Sequence, residues 1–480
     1  MKRKAKNWVI GLGLLSLMSV GIVGGFFLLQ GLYFYPGPPV VQYPVPADER
    51  EAWQQDLDYF RRYLVMDRSY TDTTRRQANA LVETMAERLD SISDAELWLG
   101  ISRAVALADN GHSNVWSGRR ARHFGRIPIR GYWFADGFYI LRAKQPYTHL
   151  LGSRITHIGH SPMSEVLEVT RQYIGGNPAH RLQFSSFLFE VPALMHAMGL
   201  SGSASELTLG VELPDGRQAT EVFPSPVPDP DKDPSEYPWK HLSPQALPLE
   251  KGEWHTLLSL QDDLPGYLQQ IGQSFQQFPL PGINGYYIQF RANNDSTELS
   301  IADFQAQARK ALADLGPRVI VLDQRFNGGG DYTKTRQFMQ DLSGYLSGHG
   351  RLYIITGRAT FSAGISSVAF ARSTADDRSV IVGTQIGDRE RAWGETNEFI
   401  LPNSKLGITF ATGLHDYASG CHDWKACYWT DFFHNVAVGS LQPEIPVATR
   451  YADYLALKDP VVEKIFEIEQ GRQMQFAAER

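Results

Sequence analysis

The chain has 480 residues, of which 43% are hydrophobic and 20% are charged, and its formal net charge is −6 at pH 7. This length allows two to four domains with cores of their own, and the composition is that of an ordinary globular protein. Because the net charge is small and no block of Lys and Arg follows the N-terminus, nothing in the sequence favours nucleic-acid binding.

The N-terminus combines a basic flank with a long uncharged stretch. Residues 1–7 carry four cations, and residues 8–35 contain no charged side chain. A bilayer core needs about 20 apolar residues, whereas a cleaved signal peptide has an apolar core of about 7–15 and a small-x-small cleavage site. No clear site of that kind follows, so the stretch predicts an uncleaved signal anchor in the inner membrane. The positive-inside rule then places residues 36–480 outside the cytoplasm, in the periplasm or extracellular space.

The residue pattern divides the chain into five consecutive parts. They are a basic flank and signal anchor (1–36), a proline-rich spacer and helical segment (37–119), a module of strands and a helix (120–223), a proline-rich linker (224–249) and a C-terminal core (250–480). In the second part, apolar residues recur at spacings of three and four, which predicts helices. In the third, alternation around Asp136-Gly137 and Asp215-Gly216 predicts hairpins.

The C-terminal core alternates strand-like and helix-like segments. This order implies a parallel sheet with helices on its faces, and functional groups gather beyond the carboxyl ends of such strands. Near its end lie Cys421 and Cys427, six residues apart. Outside the cytoplasm this spacing favours a disulfide, while a metal site would need more soft ligands than His422 supplies.

A serine stands where one of these strands gives way to a helix. The apolar run RLYIITG (351–357) precedes Ser362, and small and apolar residues at helical spacing follow it. Serine is a favoured N-cap, so capping the helix is the simplest role for Ser362. The same position would also hold a nucleophilic hydroxyl against the positive end of the helix.

Two other stretches bear on this choice. Residues 327–330, Asn-Gly-Gly-Gly, directly follow a buried strand, where their N–H groups could bind an oxyanion or the glycines could serve only as a tight connection. They are not a P-loop, because no Gly-Lys-Ser/Thr follows. His112 lies just past a predicted helix end, where a lone histidine is more often structural. Acyl transfer by serine needs a base and oxyanion donors, and these three stretches supply all the types required.

Several motifs follow one another in a characteristic order: ADNGHS, LDQRFNGGGD, TFSAG, GTQIGDRERAWGETNEF and LQPEIPVATRYADYLALKDPVVEKI. This ordered set resembles the tail-specific (C-terminal processing) and tricorn-like serine peptidases, a family that includes interphotoreceptor retinoid-binding protein. The resemblance implies a multidomain α/β fold with an N-terminal helical segment, a PDZ-like α+β module and a crotonase-like peptidase core with a mixed sheet. A PDZ-like module takes an extended peptide as an added strand.

The resemblance also implies roles for individual residues. Ser362 would be the nucleophile, and the oxyanion would be held by the backbone N–H of Ser362 itself or of Ala363, together with that of Gly328 or Gly329. The tail-specific branch uses a lysine some two dozen residues after the serine, but the first lysine here, Lys405, is 43 residues on. The tricorn-like branch uses an upstream histidine, a role that His112 fits.

The sequence leaves the third catalytic residue open. Glu395 is the candidate to orient His112 or to bind a substrate amine, and its alternative is a solvated hairpin carboxylate. Asp109 is a rival that could equally terminate a helix. The sequence departs from the family pattern at Gly364-Ile365, at 385–387 (Gln-Ile-Gly) and in an apparent insertion at 415–436.

We therefore expect a membrane-anchored serine endopeptidase that hydrolyses extracytoplasmic proteins through a Ser-His acyl-enzyme mechanism. Its partners would be polypeptide substrates, and neither a metal nor another cofactor is expected. The alternative is a catalytically inactive binding protein on the same fold, since fold does not determine function. An esterase or amidase that uses the same serine is a third possibility.

Overall fold

The computed structural model describes residues 24–25, 28–116, 123–225, 227–228, 237–247, 250, 252–259 and 263–478. The α-helices are α1 (Glu49–Met66), α2 (Asp72–Ala86), α3 (Asp94–Ala106), α4 (Met163–Thr170), α5 (Pro178–Phe189), α6 (Pro192–Ala197), α7 (Ile301–Leu315), α8 (Arg336–Asp341), α9 (Ala363–Ser373), α10 (Asp431–His434), α11 (Tyr451–Leu455) and α12 (Pro460–Ala478). The strands are β1 (Ile129–Phe134), β2 (Gly137–Lys144), β3 (Arg154–Ile158), β4 (Ser161–Pro162), β5 (Glu206–Glu212), β6 (Gln218–Pro224), β7 (Trp254–Thr256), β8 (Phe275–Leu280), β9 (Gly285–Phe290), β10 (Val319–Asp323), β11 (Arg351–Thr356), β12 (Ser379–Gly383), β13 (Arg391–Ile400), β14 (Gly407–Asp416) and β15 (Ile445–Pro446).

The predicted signal anchor is wrong. Among the described residues, no helix is both long enough and apolar enough to cross a membrane. Residues 28–34 are helical. Residues 8–23 and 26–27 of the predicted span lie outside the described residues. The single-pass membrane localisation and the inner-membrane anchoring that depended on the anchor are corrected with it.

Helices α1 to α3 share a core with a distant hairpin. Each begins at a capping side chain that accepts a hydrogen bond from a first-turn N–H: Asp48, Thr71 and Ser93. Their apolar faces pack on one another and on the β13–β14 hairpin, which contributes Phe399, Ile408 and Phe410 to the same buried cluster. The N-terminal helices thereby fix the position of the hairpin.

The module after α3 is built on an antiparallel sheet in the order β1-β2-β3-β5-β6, to which β4 and β7 add at the side. The hairpins expected at Asp136-Gly137 and Asp215-Gly216 are β1–β2 and β5–β6. Helices α4 to α6 lie between β4 and β5 along the chain. Of these, α5 begins at Asn177, whose side chain caps the backbone N–H of His180.

The C-terminal core is a mixed sheet in the order β15-β12-β11-β10-β9-β8. All pairs are parallel except β8 with β9, and every residue of β10 is buried. The register pairs Asp323 at the end of β10 with Ile355 of β11. The segments that follow these two strands therefore leave the same edge of the sheet side by side, and they carry Gly328 to Gly330 and Ser362.

Candidate active site

Ser362 occupies the N-cap position of α9 without capping it. Its backbone has φ 52° and ψ −127°, and its side chain accepts no hydrogen bond from the first turn of the helix. A non-glycine residue in such a conformation stores strain of about 1–3 kcal/mol. The hydroxyl makes no hydrogen bond to any described residue and lines a cleft of about 440 Å³. Its capping role is thus absent, while its exposure to the cleft suits a nucleophile.

The turn that contains Gly328 to Gly330, here called the glycine turn, packs directly against this serine. A Cβ placed on Gly329 would stand 2.7 Å from Ser362 Cβ and 3.2 Å from Ser362 Oγ, and the φ of Gly329 is 115°. Only glycine accommodates both the contact and the backbone angle. The turn is fixed to the serine loop by the Phe361 N–H, which donates to the carbonyl of Asn327 at 2.9 Å.

The backbone N–H groups proposed for the oxyanion differ in their availability. The Ala363 N–H, at the start of α9, has no acceptor among the described residues. The Gly328 N–H donates to the carbonyl of Arg291 over a long 3.3 Å, and the Gly329 N–H donates to Asn327 Oδ1 at 3.0 Å. Ala363 is consequently the N–H that is ready for a developing negative charge.

His112 lines the same cleft as Ser362. Its ring stacks on Phe361, the residue before the serine, with 4.3 Å between ring centroids. Its Nδ1 lies 3.5 Å from Oδ2 of Asp388, whose side chain is 1% exposed. A Cβ on Gly111 would stand 2.8 Å from both Asp388 Oδ2 and Phe361, so this glycine lets the histidine and the carboxylate approach each other.

A second histidine packs behind this pair. His180, from α5, is fully buried, and burial, together with the nearby His112, lowers its pKa to about 4 despite the opposing effect of Asp388. It is therefore neutral near pH 7. His180 therefore places no positive charge beside Asp388, and the carboxylate of Asp388 can interact with His112.

Glu395 also lines the cleft, but it pairs with a different histidine. Its Oε1 lies 3.1 Å from Nε2 of His415, while Nδ1 of His415 lies 3.1 Å from Oδ2 of Asp431. Burial opposes a charge on this imidazole, yet the two carboxylates, Asp431 first, raise its pKa to about 10. A Cβ on Gly394 would stand 3.3 Å from His415 Nε2 and 3.9 Å from His112 Nε2, so both imidazoles come close to this glycine.

Asp109 and Lys405 make contacts outside the cleft that contains Ser362. Asp109 pairs at its two oxygens with Arg181 at 2.6 Å and Arg389 at 2.7 Å. Lys405 donates to the carbonyl of Pro402 in the turn between β13 and β14. Neither lines the cleft that contains Ser362.

One of the departures from the family pattern has a local physical reason. A Cβ on Gly364 would stand 2.4 Å from the carbonyl oxygen of Asn327, so no acidic side chain fits there. The segment 415–436 contains the Cys421–Cys427 disulfide, as the spacing favoured, and α10, which supplies Asp431.

Sequence reasoning missed Asp388, His415 and Asp431. Asp388 follows β12, the neighbour of β11, so the rule that functional groups lie beyond the carboxyl ends of parallel strands could have identified it. His415 and Asp431 lie in the segment set aside as an insertion, and no local pattern indicates that they meet.

Solved structures with a similar fold agree with the resemblance found in the sequence. Mature CPAF complexed with lactacystin matches with a TM-score of 0.52 at 11% identity, over 88% of this chain and 98% of that chain. A serine-to-alanine mutant of CPAF matches with a TM-score of 0.53 at 10% identity, over 88% of this chain and 96% of that chain. No protein-family model and no curated protein sequence matches the chain. The predicted resemblance to the tail-specific and tricorn-like serine peptidases, with a multidomain α/β architecture, is confirmed at the level of the fold.

Proposed function

We propose that the chain is a serine endopeptidase that hydrolyses peptide bonds of protein substrates through an acyl-enzyme. The observation that carries this proposal is the position of Ser362. The backbone of Ser362 is strained and its hydroxyl does not cap the helix. Ser362 shares a cleft with His112, and the buried carboxylate of Asp388 lies at Nδ1 of His112. This is the order of nucleophile, base and orienting carboxylate that acyl transfer requires.

Each group has a defined step. His112 takes the proton of the Ser362 hydroxyl as Oγ bonds to the scissile carbonyl carbon, and later gives that proton to the leaving amine. Asp388 selects the tautomer with a proton on Nδ1 and stabilises the imidazolium that forms. The Ala363 N–H binds the oxyanion, with the weakly engaged Gly328 N–H as the second donor. Water then hydrolyses the ester by the same path in reverse.

The expected role of Glu395 changes in this proposal. Asp388 already lies at Nδ1 of His112, so Glu395 is not needed to orient that ring. Instead Glu395 pairs with His415, and the two side chains together form one wall of the cleft, here called the cleft wall. Its alternative role, binding a substrate amine, is compatible with its place in the cleft and stays a prediction. That the substrates are extracytoplasmic proteins also stays a prediction.

A second cleft supports a polypeptide substrate. It has a volume of about 1170 Å³, and Ser362 is among the residues that line it. Its aromatic lining comes from several parts of the chain: Trp116, Phe184, Phe187, Tyr237, Trp239 and Phe361. We infer that an extended peptide lies across Ser362 with an apolar side chain in this aromatic cleft, since such surfaces bind apolar groups and leave the backbone at the nucleophile.

Active-site labelling tests the proposal. A fluorophosphonate probe should label the wild-type chain, label Ser362→Ala not at all and label His112→Ala at least about 100-fold more slowly. Ser373→Ala, at the far end of the same helix, is the matched control and should label like wild type. A panel of peptides and simple esters then separates a peptidase from an esterase.

Absence of labelling would favour the alternative function. A folded wild-type chain that does not label would contradict the peptidase and favour the inactive binding protein. The large aromatic cleft next to Ser362 would then be its ligand site.

A further inference from the structure

Residues 33–35, here called the tyrosine segment, dock beside the candidate active site. Phe34 is only 2% exposed. Its ring meets that of Tyr428 edge-on, with 5.4 Å between centroids, and its carbonyl accepts a hydrogen bond from the Thr412 hydroxyl on β14. An exposed tail would not bury an aromatic side chain in this way, so the segment is part of the folded body.

Two further contacts hold the tyrosine segment on either side of Phe34. Arg68, just after α1, donates to the carbonyl of Tyr33 at 2.9 Å, and its guanidinium carbon lies 3.9 Å from the centroid of the Tyr33 ring. The Tyr33 hydroxyl donates to the carbonyl of Lys425 in the disulfide loop at 2.7 Å. The segment therefore bridges the N-terminal helices, the β13–β14 hairpin and the loop closed by the disulfide.

The third tyrosine-segment residue reaches the cleft wall itself. The Tyr35 hydroxyl donates to Oε2 of Glu395, 360 residues away in the chain, and lies 3.3 Å from the Tyr428 hydroxyl. Partial burial and the adjacent Glu395 raise the pKa of Tyr35 above its ordinary value, so the phenol keeps its proton. Glu395 thus has a phenol donor on one oxygen and His415 on the other.

This pair connects to the helix of the candidate nucleophile. The Tyr417 hydroxyl lies 3.4 Å from His415 Nδ1 and 2.6 Å from the Ser366 hydroxyl on α9. Contacts therefore run without interruption from Tyr35 through the Glu395–His415 pair to the first turn of the helix that begins after Ser362.

The backbone at Glu395 explains why it needs this support. Its φ is 53°, an unfavourable conformation for a residue with a side chain. A Cβ on Gly413, across the hairpin, would stand 2.7 Å from Glu395 Cγ, so the side chain lies against the neighbouring strand with little room on that side. A donor from outside the hairpin fixes the remaining freedom of the carboxylate.

We propose that Tyr35 is a positioning residue of the candidate active site, which fixes the Glu395–His415 pair that forms the cleft wall facing His112 and Ser362. The part of the proposal that concerns reactivity rests on the proposed function of Ser362. The tyrosine segment is accordingly a component of the site that is supplied from the far N-terminal end of the described chain.

The test compares Tyr35→Phe with Tyr33→Phe in the full chain. Tyr33→Phe is matched because it removes one hydroxyl from the same segment, but from a backbone carbonyl rather than from Glu395. Two readouts are needed: the rate of fluorophosphonate labelling of Ser362, and the imidazole ¹H and ¹⁵N signals of His415 in protein labelled with ¹⁵N-histidine. His415→Gln assigns those signals, and the thermal unfolding midpoint verifies that each variant is folded.

Tyr35→Phe should shift the His415 signals and slow labelling by about tenfold, since small misplacements in an active site cost this much or more. Tyr33→Phe should change neither readout. A folded Tyr35→Phe chain with unchanged His415 signals or with wild-type labelling overturns the proposal, as does an equal slowing in both variants. If the wild-type chain itself does not label, the proposed function fails, and the His415 signals alone decide whether Tyr35 orders the pair.

Discussion

At the scale of single residues, the cleft contains two histidine–carboxylate pairs with different electrostatics. Asp388 lies 3.5 Å from Nδ1 of His112, whereas His415 lies 3.1 Å from carboxylates on both of its nitrogens. The doubly paired His415 holds its proton too tightly to act as a base near pH 7, because its pKa is raised to about 10. In the proposed mechanism, proton transfer from Ser362 therefore falls to His112.

This assignment predicts unequal effects of two conservative substitutions. Asp388→Asn should lower kcat for peptide hydrolysis by about 100- to 10,000-fold, because an amide neither stabilises the imidazolium of His112 nor selects its tautomer. Glu395→Gln, in the same cleft, should cost about tenfold, because it acts only through the cleft wall. Steady-state kinetics and labelling rates measure both effects. A larger loss in Glu395→Gln than in Asp388→Asn would instead give Glu395 the orienting role expected from the sequence.

How far these residues could be predicted depends on how local their signals are. Ser362, His112 and the glycine turn lie in short motifs, and the order of those motifs along the chain carried the family resemblance from which their proposed roles came. Asp388 has no such motif, and its approach to His112 depends on the missing side chain of Gly111. The contact of Tyr35 with Glu395 spans 360 residues, and no periodicity within either segment indicates it.

At the scale of elements, the β13–β14 hairpin depends on helices from the other end of the chain. Phe399 is fully buried and stacks on Tyr59 of α1 with 4.5 Å between ring centroids, while the next residue, Ile400, is 40% exposed on the opposite face. The two side chains thus report separately on the inner and outer faces of one strand.

Phe399→Ala should lower the free energy of unfolding by about 3–5 kcal/mol, because it leaves a cavity between β13 and α1. Ile400→Ala is the matched control and should change it by less than about 0.5 kcal/mol. Urea unfolding of both variants measures the difference. Equal destabilisation by the two substitutions would contradict a core shared by the helices and the hairpin.

The elements themselves were largely predictable, but their partners were not. Alternation of strand and helix predicted a parallel core sheet, the resemblance implied a mixed one, and Asp-Gly pairs marked two hairpins. The 28 uncharged residues 8–35 satisfied the compositional rule for a membrane span, yet within the described part of that stretch Phe34 is buried against Tyr428 and β14. Hydropathy shows that a side chain favours apolar surroundings, but it does not show whether lipid or the rest of the protein provides them.

At the scale of the whole molecule, the cleft is assembled from segments that are distant in sequence. The tyrosine segment and the loop after α3 come from the N-terminal part, and α5 brings His180 from the antiparallel module. Ser362 comes from the core sheet and His415 from the hairpin. Because the two buried histidines His180 and His415 differ in their ordinary charge state, the stability of this assembly depends on pH in two directions.

The signs of the two contributions follow from proton linkage. The pKa of His415 is raised to about 10, so its contribution to stability is fully present below about pH 6.5, its unfolded value, and is lost as the pH rises through 10. The pKa of His180 is lowered to about 4, so the unfolded chain alone takes up its proton below about pH 6.5, and stability is lost as the pH falls towards 4. Each contribution amounts to about 3–5 kcal/mol over its full window.

Urea unfolding of wild type, His415→Gln and His180→Gln at pH 4.5, 6.5 and 9 measures these contributions. The free-energy difference between wild type and His415→Gln should shrink between pH 6.5 and 9, since the wild type loses the advantage of its paired imidazolium. The disadvantage of a buried neutral histidine should make wild type lose stability relative to His180→Gln between pH 6.5 and 4.5. A wild-type–variant difference that is constant across pH for His415 would mean that this imidazole is not charged between its two carboxylates, and the cleft wall facing Ser362 would then be held by neutral hydrogen bonds alone.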